Sequence, residues 1–456
     1  MIQAAIDYAS SHADAHLDQL VELTSIPSIS TLREHKPDIR RAAQWVADQM
    51  VEIGLEDVRI FFTQGHPVVF GQWAKAGPDA PTVLVYGHYD VQPADPLDEW
   101  RTDPFQPTIE NGNLYARGAS DDKGQFFTHL KSVQSILETQ GSLPVNIKFL
   151  IEGEEEIGSP HLADFIEEHL ARLAADVALV SDSHILGPDQ PSILYGLRGM
   201  AYTEVVVSGP DHDLHSGVFG GTVRNPANAL CEIVAALKDD DGRVTVPGFY
   251  DNVRLDAAER AALSKVPFSE DGLRREAGVD QLWGEAGYTP LERVSARPTL
   301  DVNGIWGGFT GEGGKTIIPA KAAAKISMRL VPDQDPERIF QLFSRHVQEL
   351  APPEVRAEVR RLAEAVPVLI DRDIPEMRAA VAAYEKGFGK TPAFTREGGT
   401  IPVVGVFADK LQIPTILMGF GLPDDRLHSP NEKFSVENFH KGIRTSIYFL
   451  DGLGAD

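Results

Sequence analysis

The chain has 456 residues, enough to bury two or three domains' worth of core, and its 42% hydrophobic and 24% charged content is ordinary for a globular protein. Arginine and lysine total 42 against 67 acidic residues, a formal charge of −25 with no basic run, which argues against nucleic acid and anionic membrane surfaces as partners. A single cysteine, Cys231, excludes an internal disulfide framework and a cysteine-rich zinc site.

Cys231 falls in the apolar helical pattern ANALCEIVAAL and is expected in the core. The N-terminal segment MIQAAIDYASSHADAHLDQL has neither the basic start nor the continuous apolar run of a signal peptide. No apolar run approaches the roughly 18–20 residues that span a bilayer, so a reducing, cytoplasmic setting is expected.

In chain order, helical periodicity covers about 4–24 and 37–53, with the turn SIPSIS between them. Short strands follow at about 57–63 and 67–73. The run TVLVY, from Thr82 to Tyr86, has no polar alternation and reads as a strand buried on both faces. A polar loop from Gln92 to Asn113 leads to LYARGASDDKGQ and a helix over about 123–139. Val145 to Ile151 is a second buried strand, emptying into EGEEEIGSPH, and a helix over about 161–173 precedes a third, VALVSD. Strand, helix, strand, helix, strand is the pattern of a mostly parallel sheet with helices on both faces.

From about Arg198 the texture changes. Tyr202 to Ser208 alternates in polarity, as a sheet with one wet face does. A helix at about 226–238 follows, then an Asp/Arg/Ala-rich section to about 297. The Gly-rich NGIWGGFTGEGGKTIIPA, a strand at about 322–330, a helix at 336–349 and a strand at 354–361 complete this region. After about Val366 the helix and strand rhythm of the first part resumes. The expected organisation is therefore one α/β domain in two parts, 1–197 and 367–456, interrupted by an α+β insert over 198–366.

Three buried strands each deliver a metal-capable side chain just past the strand end: His88, then Glu154 and Glu155, then Asp182. Ligands bind beyond the carboxyl ends of strands in open α/β sheets. Asp90 stands two residues after His88 and can fix its ring by accepting the other N–H. Asp121 opens a helix, and His428 lies in the loop GFGLPDDRLHSPNE. Carboxylates gathered at one sheet edge repel one another and call for a cation. A histidine and carboxylate set without thiolates suits zinc, or else manganese or cobalt.

The motifs GHYDVQP, ARGASDDKGQ, EGEEEIGS, SDSH, DLHSGVFGG, MRLVP, REGGTIP and HSPNE, in this order, resemble the di-zinc aminoacylase/carnosinase family of metallopeptidases, above all its cytosolic dipeptidase branch. The resemblance runs from about residue 15 to 450. It implies two divalent metal ions per subunit, with His88 and Asp182 on one, Glu155 and His428 on the other, and Asp121 bridging both. It makes Glu154 the general base and Asp90 the residue that orients His88, and it implies a cis Asp121–Asp122 peptide. It also implies a homodimer joined through the inserted domain, with His215 reaching the partner subunit's active site to help hold the oxyanion. Arg329, with Thr316, Gly399 and Thr400, would grip the terminal carboxylate of a small peptide substrate. His184 stands where the closest dipeptidases carry an aromatic, and the resemblance gives Glu156 no role.

The expected activity is metal-dependent hydrolysis of dipeptides or short peptides with a free C-terminal carboxylate. The same centre would serve a deacylase of N-acyl amino acids, and a non-catalytic small-molecule binding protein is a further class. Other hydrolase and nucleotide motifs are absent. GEGGKT has Phe309 where a phosphate loop needs glycine, no histidine is followed by glutamate as in His-Glu-x-x-His, and there is no G-x-S-x-G.

Overall fold

The computed structural model describes residues 2–399 and 401–455. The chain divides into two units, the first made of 1–195, 370–395 and 402–456, the second of 196–369 and 396–401. The cuts after Tyr195 and Leu369 replace those read at 197 and 366. The attachment of 396–401 to the insert is a long-range feature that no local pattern announces.

The first unit is built on a mixed sheet, in the order Glu56–Phe61, Val68–Trp73, Asn146–Glu152, Thr82–His88, Val177–Val180, Thr415–Leu417 and Ser192–Leu197. Its four central strands, Asn146–Glu152 to Thr415–Leu417 in that order, are parallel, and the outer pairings are antiparallel. Val83, Leu84, Val85 and Tyr86 are fully buried, as an unalternating run requires. Helix Lys123–Gln140 packs on Thr82–His88 and against helix Val436–Leu453. Because the central strands are parallel, their carboxyl ends lie along one edge, and the loops after residues 88, 152 and 180 emerge there.

Two local expectations are corrected. The helix read over 4–24 is two helices, Ile2–Ser11 and Ala13–Thr24. At the break, Ser10 and Ser11 turn their hydroxyls back onto the carbonyls of Ile6 and Tyr8, a local bond that competes with helix continuation. Cys231 is exposed rather than in the core. Helix Pro226–Ala236 buries Pro226, Ala229, Leu230 and Ile233, a stripe at helical spacing, and Cys231 stands one residue past Leu230 and so off that stripe.

The second unit carries a four-stranded antiparallel sheet in the order Thr299–Gly307, Lys321–Leu330, Gly199–Ser208, Arg356–Ala365. Gly199–Ser208 alternates between buried and half-buried along its whole length. Its inward side chains Val205 and Val207 join Ile326, Met328, Ile233 and Phe343 in one core under helices Pro226–Ala236 and Pro336–Leu350. The Gly-rich stretch begins inside a strand, where the register slips between Val302 and Gly304. Glycine at such a bulge is ordinary, and it hides the strand from a propensity reading. Among the described residues no helix is long and apolar enough to cross a membrane.

Candidate metal centre

His88 ends its strand fully buried, with Nδ1 toward Asp90 (3.1 Å from its carbonyl and 3.4 Å from Oδ1) and Nε2 turned the other way. Nε2 lies 3.0 Å from Asp121 Oδ1 and 3.9 Å from Asp182 Oδ2. The second oxygen of Asp121 lies 2.9 Å from Nε2 of His428. One carboxylate thus faces two imidazoles, one on each oxygen. The Asp121–Asp122 peptide is cis. Asp122 accepts a hydrogen bond from the His88 backbone N–H at 3.2 Å, tying the strand end to the start of the helix.

The acidic turn after residue 152 differs from its sequence reading. Glu154, expected as the general base, is committed elsewhere: Oε1 accepts from the His66 N–H at 3.0 Å and Oε2 lies 2.8 Å from His161 Nδ1. Glu156, left without a role, is the glutamate beside His428, its Oε2 3.2 Å from Nε2. The pairing expected for Glu155 with His428 is therefore made one residue later. The carboxylate of Glu155 takes no hydrogen bond among the described residues and interacts with His88, Asp182, Asp121 and Glu156. The physical reason is the tight turn over Glu155–Ile157, which sends three successive carboxylates in different directions. Three identical residues in a row carry no signal that tells these directions apart.

Asp90 does more than face His88. Its two oxygens accept the N–H groups of Glu155 and Glu156, each at 3.2 Å, so it holds the turn as well. Gln92 donates to Glu156 Oε2 at 2.8 Å. Neither contact is legible from spacing.

Two groups of side chains could each hold a metal ion: His88, Asp121 and Asp182, and Asp121, Glu156 and His428, with the ligand atoms of each group within 4.8 Å of one another. The donors are imidazole nitrogens and carboxylate oxygens, a set suited to divalent first-row ions. Electrostatics point the same way. Burial raises the Glu155 carboxyl well above its usual range, opposed by His88 and reinforced by Asp182, Asp121 and Glu156. Burial and then Asp121 raise Glu156, and burial and then Asp182 raise Asp122. Burial would lower the His88 imidazole, but Asp121 and Asp90 outweigh it and hold it well above the ordinary value. Asp121 and then Glu156 push His428 up to about 10. Burial would raise Asp121, but His428 and His88 outweigh it and hold it well below its usual range. Acidic neighbours add to the burial that raises Glu155, Glu156 and Asp122. So many carboxylates around two imidazoles leave negative charge that a cation would neutralise.

His215, Thr316, Arg329 and Gly399 belong to the second unit, and His184 to the first. His215 is exposed at the end of Leu214–His215, which pairs with Ile317–Ile318, and its Nδ1 accepts the Gly217 N–H at 3.0 Å. Thr316 is exposed beside it, and its carbonyl accepts the Ser216 N–H. Arg329 is half-buried opposite Thr299 and Met200, its guanidinium pulled below its usual value by burial and opposed by Asp301. Gly399 is exposed, next to Gly398, whose carbonyl accepts from Arg198 Nε. Thr400 lies outside the described residues. His184 makes an isolated parallel bridge with Gly421.

The model of Peptidase family M20/M25/M40 matches residues 84–451. The chain is 35% identical to the Cys-Gly metallodipeptidase dug1 of Schizosaccharomyces pombe, over 97% of this chain and 96% of that protein. It is 30% identical to the Beta-Ala-His dipeptidase of Homo sapiens, over 99% and 92%. Among solved structures it is similar to the M20 family metallo-carboxypeptidase Sso-CP2 from Sulfolobus solfataricus, with a TM-score of 0.85 and 35% identity over 97% of this chain and 99% of that one. With the match spanning most of its length and both candidate ion-holding groups inside it, the chain belongs to peptidase family M20/M25/M40.

Proposed function

We propose that this metallopeptidase hydrolyses dipeptides and short peptides with a free C-terminal carboxylate, with His88, Asp121 and Asp182 holding one ion, Asp121, Glu156 and His428 the other, and Glu155 acting as general base. The observation that carries the reading is the Asp121 carboxylate, with one oxygen 3.0 Å from His88 and the other 2.9 Å from His428. The names of the relatives, a Cys-Gly metallodipeptidase and a Beta-Ala-His dipeptidase, favour dipeptides over N-acyl amino acids. The nitrogen and oxygen donor set suits zinc, with manganese or cobalt as substitutes.

A pair of divalent ions, when bound, supplies Lewis acidity toward water and the scissile carbonyl. The rest is work for the chain. The Glu155 carboxylate takes a proton from the attacking water and delivers it to the leaving amine nitrogen. Asp90 holds the His88 ring and, through two backbone N–H groups, the turn that carries Glu155 and Glu156. Glu154 anchors the same turn to His66 and His161. Arg329 offers a guanidinium fork for the substrate carboxylate, with Thr316, Gly399 and Thr400 as further contacts and His215 as oxyanion donor from a partner subunit.

A homodimer through the insert is supported by the two edges of its sheet. Strand Arg356–Ala365 exposes Leu362 but surrounds it with Arg356, Glu358, Arg360, Arg361 and Glu364, charges that blunt an edge. Strand Thr299–Gly307 instead exposes Val302, Ile305 and Trp306. A cytoplasmic setting suits a chain whose one cysteine is an exposed thiol.

The test is a substrate panel on the metal-loaded protein: Cys-Gly, β-Ala-His and other dipeptides against N-acetyl amino acids. Turnover of dipeptides at least tenfold above the acetylated series supports the reading. Preference for the acetylated series, or hydrolysis of neither, overturns it.

A further inference from the structure

Asp121 and His428 come from distant parts of the chain, yet their segments are fastened to each other around one buried side chain. Glu432, four residues after His428, is fully buried. Its Oε2 accepts from Arg117 Nη1 at 2.7 Å and the Gly118 N–H at 3.0 Å. Its Oε1 accepts the N–H groups of Ser120 at 3.0 Å and of Asp121 at 3.2 Å. Both oxygens are occupied twice, so this acid is not a spare metal ligand. It fills a nest of backbone N–H groups on the segment that ends in Asp121.

A second carboxylate works from the other side of His428. Asp425, three residues before it and also fully buried, accepts from Ser120 Oγ at 2.9 Å and from the Leu422 N–H at 2.7 Å. Its other oxygen accepts from Lys433 Nζ at 3.0 Å. Between these two anchors the loop runs through left-handed backbone at Arg426 (φ 59°), His428 (φ 58°) and Asn431 (φ 64°). The anchors bracket His428 and converge on the residues just before Asp121.

We infer that Glu432 and Asp425 are positioning residues that join the Asp121 and His428 segments into one body, and so set the affinity of the ion held by Asp121, Glu156 and His428. This rests on the two-ion reading above. The His88 side of Asp121 has its own support, since Asp122 holds the His88 backbone and Asp90 faces the ring, and neither contact passes through Glu432. Loosening the lock frees His428, which serves only the second ion, while the Asp121 segment keeps its tie to His88 through Asp122, so the second ion is weakened more than the first. Groups hydrogen-bonded behind metal ligands are typically worth about 10–100-fold in metal affinity.

The experiment is calorimetric titration of metal-stripped protein with Zn²⁺, followed in parallel by Co²⁺ absorption. Wild type, Glu432→Gln, Asp425→Asn and Ser120→Ala are compared, with His428→Ala marking which step belongs to the second ion. The expected result is two ions on wild type and, for Glu432→Gln, about 10–100-fold weaker binding of the second ion with the first within about threefold of wild type. Ser120→Ala, which removes only the hydroxyl held by Asp425, shows a smaller loss at the same step. Wild-type binding of both ions by Glu432→Gln and Ser120→Ala overturns the inference, and so does an equal loss of both ions. If Glu432→Gln does not fold, Ser120→Ala decides, selective loss supporting the lock and unchanged binding refuting it. Failure of wild type to take up two ions would instead sink the two-ion reading.

Discussion

Oε2 of Glu156 lies 3.2 Å from Nε2 of His428, while Oε2 of its near neighbour Glu154 lies 2.8 Å from Nδ1 of His161. The two carboxylates begin two residues apart and end in different surroundings, with Glu155 between them. This divides their expected roles. Glu155→Gln should lower kcat by about 10²–10⁴ with both ions retained, the range for loss of a general base. Glu154→Gln should stay within about tenfold of wild type, since an amide can keep one of the two anchoring bonds. Steady-state kinetics beside metal analysis checks both, and the reverse order of severity would return the base to Glu154.

Removing a ligand should separate the ions. His428→Ala and Glu156→Ala should each retain one ion per subunit, whereas Asp121→Ala should lose both, because its two oxygens face the two histidines. Elemental analysis after dialysis reads this directly. Equal losses in all three variants would contradict a shared carboxylate.

Chelation should cost both activity and stability. An ion bound to the folded chain and not to the unfolded one stabilises it by about 2.7 kcal/mol when present at 100 times its Kd. Metal-stripped protein should therefore be inactive and melt several degrees lower, with both properties restored by Zn²⁺ or Mn²⁺. An active protein after exhaustive chelation would refute metal dependence.

Acid should weaken the fold through buried histidines that are not among the candidate metal ligands. Neither ring nitrogen of the buried His16 has a hydrogen-bond partner among the described residues, and burial and then Lys131 bring its imidazole down to about 3. Burial alone brings His129 to about 3. Both values lie below that of an unfolded histidine, so the unfolded chain takes the proton first. The stabilisation from holding these rings neutral is present above about pH 6.5 and is lost as pH falls toward 3. For His129 the loss at pH 5 is about 2 kcal/mol. Urea midpoints from pH 7 to 4 should fall accordingly, and His16→Phe should flatten part of that slope. An unchanged slope would show that His16 does not titrate on unfolding.

The apolar sheet edge gives a test of assembly. Ile305 is 52% exposed on strand Thr299–Gly307, so a charge there should oppose docking without disturbing the core. Ile305→Lys should sediment as a monomer where wild type sediments as a dimer, and should lose activity if His215 serves a partner subunit. A monomeric, fully active wild type would remove both the dimer and that role for His215.

Much of the architecture was written locally. The unalternating run at 82–86 is a strand covered on both faces, the run at 145–151 is a strand that is half-buried at Asn146 and Lys148 and buried from Phe149 on, and the alternation at 202–208 is a strand with two unlike faces. Hydrophobic periodicity reports burial directly, so the two kinds of sheet were legible. So were the strand-end positions of His88 and Asp182, because a strand must end where its apolar run ends.

What the order of residues left open was direction and partnership. In Glu154, Glu155 and Glu156 the composition is uniform, and only the turn's backbone determines which carboxylate meets His428, which meets His161 and which faces His88 and Asp182 without a hydrogen bond among the described residues. The roles of Glu432 and Asp425 were equally hidden, since a buried carboxylate satisfied by backbone N–H groups (Glu432) or by a serine hydroxyl (Asp425) more than 300 positions away leaves no periodicity in the chain. Local sequence sets which elements form, because burial and backbone preference act residue by residue. Only tertiary structure decides which side chains converge, because a hydrogen bond between distant segments is specified by the fold that carries both.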